Sequence, residues 1–160
     1  MLKKQGIILH KGDVVLFNTG WLELVGKDNS QFMEVKPSIY MEVAQCLVDQ
    51  GIVAFGGDTC ASEVYPDSQD SEEFPVNQFL MNQHGIYNLE LIDSRSLVRN
   101  QIWEFLFLLV HPLYVSYTQV NINLIAVYMN AIITLIPRLS SKRKCEFVLA
   151  LFSVPIMARS

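Results

Sequence analysis

From Phe105 to Pro137 the sequence contains no Asp, Glu, Lys or Arg. A stretch so free of charge has to be paired into sheets, packed into a core or held in a bilayer, and this restricts the fold more than any other feature. Val120–Pro137 is long enough to raise a transmembrane helix. Asn121, Asn123 and Asn130, with Pro112 just upstream, argue against one. A polar side chain without a partner in hydrocarbon costs roughly 2–7 kcal/mol, depending on the reference state. The basic run Arg138–Lys144 is what a positive-inside anchor would use. The segment reads as buried strands, with a membrane-anchored protein spanning 120–137 as the alternative. Trp103–Val110 and Leu113–Val115 are expected to be strands broken at Pro112.

The rest of the chain alternates strand and helix signals. Val14–Thr19 reads as a short, mostly buried strand ending at Gly20. Asp28-Asn-Ser30 marks a loop. Pro37-Ser38 opens a helix, with Ser38 expected as its N-cap and Glu42 in its first turns. Met41, Ala44, Leu47 and Val48 form the apolar face of that helix, and Gly51 stops it. Ile52–Phe55, bounded by Gly56-Gly57, is a continuous apolar run of the kind found in a central strand. A shorter helix over Val76–Gln83 ends at Gly85, and Ile86–Leu91 reads as a further strand. Pro66–Glu73 is a polar loop by composition. The pattern predicts an α/β (α+β) layer structure.

Bulk properties narrow the function classes. With 160 residues, 51% of them hydrophobic, the chain can build one sizeable core and is not a disordered tail. A net charge of −4 gives no basic footprint for nucleic acid. Three scattered cysteines, Cys46, Cys60 and Cys145, make neither a disulfide framework nor a zinc site, and their odd number favours a reducing, cytoplasmic setting. Residues Met1–Leu9 show no signal peptide.

Two carboxylates stand out. Asp58-Thr59 follows the strand at Ile52–Phe55 through two glycines, which let backbone approach closely, and a carboxylate at a strand end is placed to meet a ligand. Glu63 lies five residues on. Glu90 sits inside a strand pattern, where a charge needs a partner or a metal. The plain alternative is that Asp58 caps a turn and Glu90 faces solvent. His10, His84 and His111 have no partner at metal-ligand spacing, and there is no nucleophile elbow, phosphate-binding glycine loop or Cys-x-x-Cys. His10 reads as a turn residue, His84 as a helix-end residue and His111 as structural.

Taken together, the order of segments resembles the metal-dependent cyclase family, which includes bacterial-type kynurenine formamidase and isatin hydrolase. Gly12-Asp-Val-Val-Leu-Phe-Asn-Thr-Gly-Trp21 is similar to a strand and turn of that family, and the segment Pro37–Thr59 to its helix followed by a glycine-aspartate strand end. Phe74–Glu90 resembles its next helix–strand block, and Trp103–Leu113 with Leu124–Val127 its closing strands. The resemblance covers about residues 6–128 as a partial domain and leaves 129–160 as a hydrophobic and basic tail. It implies a swivelling β/β/α fold, incomplete at the N-terminus, and a site for zinc or manganese. The implied reaction is hydrolysis of a small aromatic amide: N-formyl-L-kynurenine to L-kynurenine and formate, in tryptophan breakdown. An ion in such a site lowers the pKa of a bound water to about 7.

The sequence departs from the family at several points. The family's His-x-x-x-His-x-Asp motif, which precedes the Gly-Asp-Val-Val strand, does not occur here. A histidine expected after Pro-Val is Asn77, a poorer zinc ligand. Glu90 keeps the position of a metal ligand. Thr118-Gln-Val-Asn121 replaces a Thr-Gly-Ser-Pro turn. The resemblance places Asp58, Thr59 and Glu63 in the substrate pocket, and Trp21 as a pocket wall or, equally, a core aromatic. No catalytic residue is assigned, and the metal site is incomplete by ligand count. A catalytically inactive cyclase-like scaffold is the alternative reading. Missing N-terminal structure would leave strand edges and apolar faces uncovered, so a homodimer is expected.

Overall fold

The computed structural model describes residues 5–34, 36–60, 74–128, 131–135 and 148–151. Its first sheet contains β1 (Val14–Asn18), β2 (Ala54–Gly57), β3 (Tyr87–Leu89) and β7 (Val148–Leu151), in the order β3-β2-β1-β7. β1, β2 and β3 run parallel, and β7 pairs antiparallel with β1. The second sheet is an antiparallel meander of β4 (Leu106–Val110), β5 (Asn123–Tyr128) and β6 (Ala131–Thr134).

Side chains alternate across a strand, so β1 feeds two cores. Val14 and Leu16 join Ala54 and Leu89 against Phe107, Leu124, Ala126 and Leu135 of the second-sheet region. Val15 and Phe55 face the opposite way, into Ala44 and Leu47 of α2 (Met41–Asp49) and Val76 and Leu80 of α3 (Pro75–Asn77) and its continuation. The result is three layers: second sheet, first sheet, helices. A fully buried Leu or Phe contributes roughly 1.5–3 kcal/mol. Phe55, Leu80, Leu97 and Leu16, each at most 1% exposed, anchor the two interfaces. The mixed α+β class expected from the strand–helix alternation is the class observed.

Local departures have local causes. The helix expected from Ser38 starts at Met41 with Tyr40 as N-cap, because Ile39 is drawn into the core and the Ser38 hydroxyl donates to the Lys36 carbonyl at 3.0 Å. Asp28 opens a short helix, α1 (Asn29–Met33), where a loop was expected, since its carboxylate accepts from the Gln31 amide at 3.0 Å. After Asn77 the second helical segment widens into a π-type turn, Gln78–Gln83. Leu113–Val115 is not a strand: Leu113 and Val115 are about nine-tenths exposed, and Ser116 takes a left-handed φ of 65°. β4 and β5 are strands, as expected for the charge-free stretch, and among the described residues no helix is long and apolar enough to cross a membrane. Residues 131–135 and 148–151 pair with both sheets. The polar loop at 66–73 and the basic run at 138–144 lie outside the described residues.

The glycine pair of β2 has a steric reason. A Cβ on Gly56 would run into the carbonyl and Cβ of Leu89, and one on Gly57 would come within 3.1 Å of the Phe17 carbonyl. Only glycine lets β2 lie this close to both neighbours.

Candidate functional site at the carboxyl ends of the parallel strands

In parallel sheets, ligands bind beyond the carboxyl ends of the strands. Here those ends are marked by Thr19 after β1, Asp58 after β2 and Glu90 after β3. The first two are joined. Asp58 is 1% exposed, and its Oδ1 accepts from the Thr19 amide at 2.9 Å and the Thr19 hydroxyl at 2.7 Å. The Thr19 hydroxyl oxygen in turn accepts from the Trp21 amide at 3.3 Å. A buried charged group engaged in this way fixes two strand ends to one another. Asp58 Oδ2 is buried without a hydrogen-bond partner. An orphan of this kind costs about 1–3 kcal/mol and calls for a role.

A second layer of contacts backs this corner. The chain after β3 returns to β2 through the Leu91 amide on the Thr59 carbonyl (3.1 Å) and the Ile92 amide on the Gly57 carbonyl (2.8 Å). Asn18 donates to the Ser94 hydroxyl at 2.9 Å. Arg95, first residue of α4 (Arg95–Arg99), pairs with Asp93 through its Nε at 2.7 Å. The hydrogen bond to Asp93 is the main cause holding the Arg95 guanidinium pKa above its usual value. Burial opposes it, and the charges of Asp93, Glu23 and Asp58 add to it. Arg95 therefore supplies positive potential to the side on which Asp58 is buried.

Glu90 belongs to a different cluster. Asn88 and Glu90 are two residues apart on one strand and share a face. The Asn88 Nδ2 donates to Glu90 Oε1 and to Asn77 Oδ1, both at 3.2 Å. The structure thus brings Asn77 and Glu90 together around Asn88, while Asp58 is engaged with Thr19. Trp21 is half-buried, with its indole N–H donating to the Phe32 carbonyl at 3.2 Å, and it joins the Thr19 corner through its backbone. Thr59 is buried. Glu63 lies outside the described residues.

The fit to a divalent ion can be judged from these contacts. Zinc sites take at least three protein ligands. Among the described residues no three His, Cys, Asp or Glu side chains gather to hold a metal. At Glu90 the neighbouring groups are amides, and the Asn88 N–H bonds aim a donor at the carboxylate where a cation would have to sit. The described residues do not fit zinc or manganese.

Sequence reasoning missed Thr19 and Asn88 as site residues. Both carried a readable signal. Thr19 stands at a strand end, as Asp58 does, and Asn88 shares strand parity with Glu90. Arg95 and Ser94 carried none, because only the tertiary fold brings residues 92–95 to β1.

The Thr19–Asp58 corner falls in the segment that finds a counterpart among known proteins. Residues 1–64 match the Cyclase family model, described as "Putative cyclase". The match takes in β1, α2, β2, Trp21, Asp58 and Thr59, and connects this part of the chain to a cyclase-type scaffold. Asn77, Glu90 and the closing strands lie beyond it. No curated protein and no solved structure matches the chain.

Proposed function

We propose that this chain is an amide hydrolase of the cyclase type, acting on a small aromatic amide such as N-formyl-L-kynurenine to give L-kynurenine and formate. The reading is carried by one observation: the segment matching the cyclase family ends in a buried Asp58–Thr19 lock at the carboxyl ends of two parallel strands. The three-layer arrangement supports it, since a β/β/α order is what a swivelling cyclase-like domain requires. In this reading Asp58 is a positioning residue that holds the end of β1, and with it Trp21 as a wall for an aromatic substrate. Glu63 and Thr59 would complete that wall. The zinc or manganese of such enzymes would need ligands other than those described, with Glu90 the one carried over. A cytoplasmic setting agrees with the free thiols of Cys46 and Cys60.

The test is formate release from N-formylkynurenine by the purified full chain, with zinc or manganese supplied. Metal-dependent turnover supports the proposal. A folded chain that takes up metal and releases no formate overturns it in favour of a non-catalytic scaffold.

A further inference from the structure

A sheet covered on one face alone should alternate apolar inward and polar outward. The second sheet does not. Its inner positions Phe107, Leu124 and Ala126 are buried against the first sheet. Its outer positions on β4 are Leu106, Leu108 and Val110, exposed by 41%, 42% and 71%. Opposite them on β5 stand Val127 and Ile125, themselves only half-buried. The apolar surface continues past Val110 into the exposed loop side chains Leu113, Tyr114, Val115 and Tyr117. These outward side chains present on the order of 1,000 Å², against about 800 Å² per partner in a standard interface. Scattered apolar residues need no explanation; a contiguous patch of this size does.

Charge decides the occupant. A two-fold interface sets each patch against its own copy, so any net charge in it would meet itself. This patch lies within the Phe105–Pro137 stretch, which has no Asp, Glu, Lys or Arg, and so carries nothing to repel a copy. The same absence removes the Lys and Arg that draw a surface to anionic lipid, and the chain as a whole carries −4. We infer that the outer face of β4–β5, together with residues 113–117, is the interface of a homodimer of this chain. Two second sheets pack face to face there, and Tyr114 and Tyr117, whose rings lie 5.1 Å apart, form an aromatic rim.

Light scattering on the full chain tests this. The expected mass is twice the 18.2 kDa of the monomer. The double variant Leu108→Lys, Val110→Lys should weaken self-association by at least about tenfold. Both positions face outward, so the far-UV circular dichroism of the double variant should equal that of the wild type. As a second handle, Val115→Lys in the exposed loop should weaken the dimer without touching a strand. A monomeric wild type overturns the inference, as does a dimer indifferent to all three changes. A monomer that binds neutral phosphatidylcholine vesicles through this face also overturns it, because the occupant would then be lipid. Formate release is read separately, so this result and the hydrolase reading stand or fall independently.

Discussion

On β1 of the first sheet, Val14, Val15 and Leu16 are all 3% exposed or less, whereas on β4 of the second sheet Leu106, Leu108 and Val110 expose 41%, 42% and 71%. Both strands are continuous apolar runs. They differ in what covers them. The first sheet lies between the second sheet and α2/α3, so both parities of β1 reach a core. The second sheet has a core on one side and an open apolar face on the other. An apolar run thus shows that a strand avoids water without showing whether its own chain supplies the cover. The sandwiched sheet carries the polar lock at its strand ends, where rigid backing is available on both faces. The half-covered sheet carries the surface suited to assembly.

The largest test of this contrast is Phe55→Ala. Phe55 is completely buried between β2 and the helices, and its truncation should cost about 3–5 kcal/mol in chemical denaturation. An effect below about 1 kcal/mol would mean that the helical layer is not packed on the first sheet. Next comes Asp58→Ala, which strips the buried Thr19 amide and hydroxyl of their shared acceptor and should cost about 2 kcal/mol by the same measurement. Thr19→Val should then add little in the Asp58→Ala background, because the two changes remove one interaction. The smallest effect belongs to the second sheet. Leu108→Asn should change the stability of the monomer by no more than about 0.5 kcal/mol, although it replaces a leucine in a strand.

Much of the first sheet could be read from the residues. Val14–Thr19 and Ile52–Phe55 announced β1 and β2 to within two residues, and Gly56-Gly57 announced the close approach that Leu89 and Phe17 require. Asp58 was legible as a strand-end carboxylate. Its partner was not, because pairing Thr19 with Asp58 requires knowing that β1 and β2 are parallel neighbours, and the two residues are 39 apart in the chain. Glu90 was legible as a charge in a strand that must find a partner, but an asparagine two residues earlier looks like any polar strand residue. The helix start at Met41 rather than Ser38 was set by the burial of Ile39, a tertiary gain that outweighs a side-chain cap. In the Leu113–Val115 segment, β propensity was overridden by Pro112 on one side and the left-handed Ser116 on the other. The family resemblance extended over residues 6–128, and the family match covers residues 1–64, the part whose motif is the polar strand end rather than the apolar strands.

The most direct test of the account compares kcat/KM for N-formylkynurenine hydrolysis between the wild-type chain and Asp58→Asn, both folded and supplied with manganese. Asn keeps the size of the side chain and removes the charge that holds Thr19. A displaced strand end should lower kcat/KM about 100-fold. Equal rates in the two proteins, or no turnover in either, would contradict the claim that the Asp58–Thr19 lock positions a hydrolytic site.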